Sequence, residues 1–106
     1  MPAVTRLGDA CTGHGCWPPR SSTGGSPNVY ANGIQVHRQG DGWAAHTCPS
    51  IPETHGSILA AGSPTVYVNG KQIGRIGDPV ACGSGVAAGS SNVFSDELAL
   101  ARRFSF

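Results

Sequence analysis

The sequence predicts an all-β chain: three short β-hairpin repeats around a pseudo-threefold axis, forming a compact cone with a metal site near the apex. Three observations carry that expectation. Sixteen glycines and eight prolines among 106 residues, without a collagen period, mark a turn-rich chain. Val-Tyr and Ile clusters recur between the turns, as short strands do. Several unrelated residue types also recur together at fixed spacing, which is the signature of a repeat architecture.

The repeats can be followed in order. Arg6-Leu7-Gly8-Asp9, Arg38-Gln39-Gly40-Asp41 and Arg75-Ile76-Gly77-Asp78 share one core. GSPNVYANG (25–33), GSPTVYVNG (62–70) and GSSNVFSDE (89–97) share another, and NGIQVHRQGD (32–41) matches NGKQIGRIGD (69–78) register for register. Each unit reads as a hairpin. A Gly-Ser-Pro turn leads into an alternating strand such as Thr65-Val66-Tyr67-Val68. Asn-Gly at 32–33 and 69–70 then supplies the positive φ angles a type I′ turn requires. A second strand follows, Ile34-Gln35-Val36 or Lys71-Gln72-Ile73, closed by Gly-Asp. The third unit reads as truncated, as terminal repeats often are. Residues 96–103 could pass for a helix by composition, but the repeat places the last strand there.

Composition narrows the function. One hundred and six residues suit one domain spanning 1–106, able to bury about 65% of its unfolded surface. The net charge is +1 and only 12% of residues are charged, against about 25% in a typical domain. Nucleic-acid binding calls for a clustered basic stripe. The one basic pair, Arg102-Arg103, reads as a solvated chain end. No run of about 18 apolar residues suggests a transmembrane helix, and the start lacks the charged-then-apolar pattern of a secretory signal. Synthesis in the cytoplasm is therefore expected. For Cys11, Cys16, Cys48 and Cys82 this favours thiols or metal ligands over two disulfides, of which three connectivities are possible.

A candidate ligand follows each Gly-Asp step. His14 comes five residues after Asp9, His46 five after Asp41, and Cys82 four after Asp78. His55 stands apart from these, but HGSILAAGSPTVY (55–67) aligns with CGSGVAAGSSNVF (82–94), so His55 corresponds to Cys82. If the repeats surround an axis, three histidines and one cysteine converge on one point. Imidazole nitrogen and thiolate sulfur are the ligands of tetrahedral Zn²⁺, and four protein ligands close such a site. Any one of these histidines alone would read as a solvated loop residue; the repeated register is what singles them out. Cys48, Cys11 and Cys16 stay open as replacements for a histidine, although small buried hydrophobes is their simpler role. His37 occupies the position held by Thr5 and Gly74 in the other units and is not expected to bind metal.

Together, RLGD…HG, GSPNVYANG…RQGD, H…HGSILAAGSPTVYVNG…RIGD and CGSGVAAGSSNVF resemble the PAAR-repeat proteins over roughly residues 5 to 95. The name-giving Pro-Ala-Ala-Arg is not literal: its positions resemble Ile34-Gln35-Val36-His37-Arg38 and Gln72-Ile73-Gly74-Arg75, with only the arginine kept. The resemblance implies a conical tip capping a trimeric β-helical spike of the VgrG type, in type VI secretion systems or contractile phage tails. It implies one structural zinc held by His14, His46, His55 and Cys82, with the 46-to-55 loop the least secure part of that transfer. It further implies a monomer that meets the target-cell membrane on firing and can carry non-covalent effector cargo. Such a tip is made in the cytoplasm, assembled on the spike and delivered into the target envelope, or built into a virion tail.

The rival reading is a small zinc hydrolase. A catalytic zinc keeps a position open for water, whereas Cys82 as a fourth ligand would close it. Asp9, Asp41 and Asp78 recur with the turns and read as turn hydrogen-bonders, not general bases. A fused toxin domain is not expected either, because the repeats fill nearly all of the chain. The expectation is a non-enzymatic protein.

Overall fold

The computed structural model describes residues 2–50 and 53–95. All its regular structure is β, and no helix occurs among the described residues. Six strands form three antiparallel pairs: β1 (Tyr30–Ala31) with β2 (Ile34–Gln35), β3 (Gly42–Cys48) with β4 (Glu53–Ile58), and β5 (Tyr67–Val68) with β6 (Lys71–Gln72). The all-β expectation is met.

The two short hairpins turn where the sequence says they must. Asn32 and Asn69 each have φ of 56°, and Gly33 and Gly70 have φ of 76° and 80°. Positive φ at both central residues is the type I′ turn, whose twist matches that of the flanking strands.

The third unit corrects the expectation of a truncated repeat, because the beginning of the chain supplies its second strand. The Ser26 N–H donates to the Val36 carbonyl, Ser63 to Ile73, and Ser90 to Val4, all at 2.8–2.9 Å. Likewise the N–H of Val36 donates to the Val29 carbonyl, that of Ile73 to Val66, and that of Val4 to Val93, at 2.9–3.1 Å. Val4 thus stands where Val36 and Ile73 stand in the other units. The strand expected over 96–103 and the Arg102-Arg103 pair lie outside the described residues.

The segments Val4-Thr5-Arg6, Val36-His37-Arg38 and Ile73-Gly74-Arg75 close on one another. The Thr5 N–H donates to the Gly74 carbonyl (3.0 Å), Gly74 to His37 (2.9 Å) and His37 to Thr5 (3.0 Å), a ring of three bonds. Extended backbone sends alternate side chains to opposite faces, so this ring divides two apolar clusters. Val4, Val36 and Ile73 join Ala31 and Val68 on the hairpin side. On the other side Cys11, Trp43, Leu59, Val80 and Val86 pack together. There the His37 ring meets Trp43 edge-on, centroids 5.0 Å apart. A Cβ added at Gly74 would lie 2.8 Å from Leu59 Cδ2 and 2.9 Å from Thr5 Cγ2, so only glycine fits at that crowded point.

Below the ring each Arg-x-Gly-Asp run makes the same turn. Gly8, Gly40 and Gly77 have φ of 88–94°. Asp9, Asp41 and Asp78 each accept the backbone N–H of the arginine three residues earlier, at 2.8–2.9 Å. Each carboxylate also pairs with that arginine's guanidinium at 2.8–2.9 Å. The aspartates are turn hydrogen-bonders, as expected, and their pairing with the arginines is an addition that the sequence reading missed.

Candidate metal centre

The longest pair, β3–β4, positions two of the four candidate ligands. The 46-to-55 segment, expected as a loop, is strand at both ends: 46–48 and 53–55 pair antiparallel, with His46 directly opposite His55. A bulge between Trp43 and His46 sets two residues of β3, Ala44 and Ala45, against one of β4, Gly56. The extra residue reverses the in-out alternation. As a result Trp43 and His46, three apart, are both buried, and so is Cys48 beyond them.

His14 arrives on a separate excursion. The N–H groups of His14 and Trp17 each donate to the other's carbonyl, at 3.0 and 2.8 Å, closing a tight turn over Gly15-Cys16. Cys82 sits in a turn in which Gly83, with φ of 109°, donates its N–H to the Val80 carbonyl at 2.9 Å. Its side chain packs against the second apolar cluster.

The structure brings His14, His46, His55 and Cys82 together, with one ligand-type atom from each lying within 4.8 Å of all the others. His55 Nε2 is 3.1 Å from His14 Nε2 and 2.8 Å from His46 Nε2, and Cys82 Sγ is 4.0 Å from His46 Nε2. Metal–nitrogen bonds of about 2.0–2.1 Å give a tetrahedral edge of about 3.3–3.4 Å. Both of these nitrogen–nitrogen separations lie inside that edge, and the sulfur–nitrogen one lies slightly outside its own.

The protonation of His46 shows what the group suits. Its Nδ1 lies 2.8 Å from the Pro18 carbonyl, which can only accept, so Nδ1 carries the proton. In the neutral ring Nε2 is then a bare lone pair, and it faces the Nε2 of His55. Burial, then the neighbouring His46 and His55, holds the His14 imidazole below its ordinary pKa and so favours its neutral form. A bare imidazole nitrogen facing another at this range is satisfied either by an N–H from His55 or by a cation between the rings. A histidine whose other nitrogen donates to a carbonyl is the usual arrangement in metal centres. The donor set therefore fits a metal ion, and four protein ligands leave no open position.

Two features escaped the sequence reading. Trp17 covers the imidazoles: its ring stacks on His14 at 5.0 Å and lies 5.1 Å from His55, and its Nε1 donates to the Glu53 carbonyl at 3.0 Å. An aromatic three residues after a candidate ligand was the available signal. The Pro18 carbonyl that orients His46 left no trace in the sequence, since any residue has a carbonyl.

The cysteines require a correction. Cys16 and Cys48 form a disulfide, with Cα atoms 5.1 Å apart, whereas thiols were expected. Paired sulfurs are not thiolates, so neither replaces a histidine in this state. Cys11 is buried and free, and belongs to the second apolar cluster. His37 lies outside the His14–His46–His55–Cys82 group; it is fully buried with Nδ1 2.7 Å from the Gly24 carbonyl.

Fold and site together define a small all-β protein carrying a closed His₃Cys group able to hold a metal. The family model for the PAAR motif matches residues 12–88, well over half of the chain. The chain belongs to the PAAR-motif family, the spike-tip proteins of contractile injection systems. No curated relative matches it.

Proposed function

We propose that this chain is a non-enzymatic tip that caps a trimeric VgrG-like spike of a contractile injection machine and is fixed at its narrow end by one structural zinc. The observation that carries this reading is the closed His₃Cys group in a chain of this family. Sulfur and imidazole donors at tetrahedral spacing suit zinc better than magnesium or calcium, which take oxygen ligands. Beyond the Cys11–Trp43–Leu59–Val80–Val86 cluster the ligand-bearing segments are turns and a strand pair held by few apolar contacts. Metal binding there becomes folding energy, worth about 10–16 kcal/mol in zinc-finger peptides.

The other end supports the partner. The hairpins belong to one side of the Thr5–His37–Gly74 ring and the second cluster, with Cys82 against it, to the other. At matching positions of the three units Tyr30, Tyr67 and Phe94 are 55%, 57% and 46% exposed, beside half-exposed Val29, Val66 and Val93. Recurrent exposed apolar groups mark an interaction surface. Three similar units around a pseudo-threefold axis match a true trimer, which would also cover their strand edges. The same tip chemistry serves a secretion machine or a phage tail. Assembly would occur in the cytoplasm and delivery would end in the target envelope.

The test is to mix the purified chain with a trimeric VgrG-like spike and measure the complex by size-exclusion chromatography with light scattering. One chain per trimer, lost in a Tyr30→Asp/Tyr67→Asp variant that keeps its metal and fold, is the expected result. No complex with the wild type, or an unaffected variant, contradicts this reading.

A further inference from the structure

We propose that the Cys16–Cys48 disulfide is a redox clamp on the metal centre: oxidised, it holds the His₃Cys group in its metal-binding geometry, and reduction loosens the group. The proposal rests on the reading that this group binds zinc.

The argument begins with spacing. His14-Gly15-Cys16 and His46-Thr47-Cys48 each place a candidate ligand two residues before a half-cystine. Cys48 shares the buried face of β3 with His46. Cys16 occupies the tip of the tight turn whose first residue is His14. The bond therefore joins the ends of two ligand-bearing segments.

The clamped excursion supplies two groups to the centre. It carries His14, and it carries the Pro18 carbonyl that holds His46 Nδ1 at 2.8 Å. At its foot it is anchored by the Cys11 N–H to the Arg20 carbonyl, and by Thr12 to Gly85. Besides the His14–His55 and His46–Pro18 contacts, its outer part meets β4 through Trp17, whose Nε1 donates to the Glu53 carbonyl at 3.0 Å. With the Ser84 hydroxyl bond to the Gly13 carbonyl (3.3 Å) and the Trp17 ring against His55 (5.1 Å), these are weak non-covalent contacts, so opening the disulfide removes the one covalent tie near a ligand and an orienting acceptor. Losing an orienting contact of this kind costs about 10–100-fold in metal affinity.

The chemistry is thiol–disulfide exchange with a small-molecule thiol as reductant. Cys16 is exposed and Cys48 is buried, so a reductant thiolate attacks Cys16 Sγ, the S–S bond breaks and Cys48 leaves as a thiolate. A second reductant thiolate attacks the reductant sulfur of the mixed disulfide and releases Cys16. Two thiols have given two electrons and become one disulfide. Linkage makes the coupling reciprocal: zinc favours the disulfide by the factor by which the disulfide favours zinc.

The experiment is a Zn²⁺ titration against a chromogenic chelator, with oxidised wild type and a Cys16→Ser/Cys48→Ser variant, each also carrying Cys82→Ala as control. The clamp predicts zinc binding about 10–100-fold weaker in the serine variant. Equal affinities overturn the clamp alone, and so does tighter binding by wild type with both thiols free, which would make Cys48 a ligand. No zinc binding by oxidised wild type overturns the metal reading itself. Should the serine variant fold poorly, wild type equilibrated in glutathione buffers with and without Zn²⁺ gives the same answer. Trapping the free thiols should show zinc shifting the oxidised fraction toward more reducing buffers, and coincident curves overturn the clamp.

Discussion

Arg38 Nε lies 2.8 Å from Asp41 Oδ2, and its Nη2 lies 3.0 Å from Oδ1, a two-point pair in which both side chains are about nine-tenths buried. Asp41 Oδ2 also accepts the Arg38 backbone N–H, so one carboxylate closes the turn and neutralises the arginine. Burial alone would raise the Asp41 pKa, but the bonds from the Arg38 side chain and backbone outweigh it and the net shift is downward.

Asp41→Asn should therefore destabilise the protein by about 3 kcal/mol, because it strands a buried guanidinium. In wild type the pair's contribution is full above the unfolded carboxylate value, near 3.9, and is lost as pH falls through the lower folded value. Urea denaturation of both proteins at pH 7 and at pH 3 checks this. The gap between them should narrow at the lower pH.

Two glycines separate backbone strain from crowding. Gly70 has φ of 80° and open space around it, so Gly70→Ala should cost about 1 kcal/mol from the left-handed backbone alone. Gly74 has ordinary φ, but its added methyl meets Leu59, Thr5 and the His37 carbonyl at 2.8–3.1 Å. Gly74→Ala should cost more, toward about 3 kcal/mol, since the hydrogen-bonded ring cannot give way. Thermal denaturation of the two variants gives the order.

His37 predicts a pH dependence of different origin. It donates Nδ1–H to the Gly24 carbonyl, and burial lowers its pKa. Below the unfolded value, near 6.5, the unfolded chain binds a proton that the folded one refuses, so stability falls as pH drops below that point. His37→Asn keeps a donor for Gly24 and cannot titrate. Its melting temperature should change less between pH 7.5 and 5 than that of wild type, and the histidines common to both cancel in the comparison.

The legible and illegible parts of this chain divide by range. The type I′ turns at Asn32-Gly33 and Asn69-Gly70 could be read because local backbone chemistry dictates them. That His14, His46, His55 and Cys82 come together could be read because they sit at repeated positions. The β3–β4 pair was missed because it belongs to one inserted segment without a repeat partner, and its bulge moves His46 out of simple alternation with Trp43. The pairing of Val4 with Val93 was missed because it joins the two ends of the repeat region across most of the sequence. The Cys16–Cys48 bond was missed because an expectation about compartment outweighed spacing that carried no pairing information.

On the proposed reading, one zinc held by His14, His46, His55 and Cys82 holds the tip together. Elemental analysis of the purified protein beside Cys82→Ala, with melting temperatures of both, tests it most directly. One zinc per chain in wild type, with metal and thermal stability both lost in the variant, is the expected result. A metal-free wild type, or full zinc retention without Cys82, would contradict it.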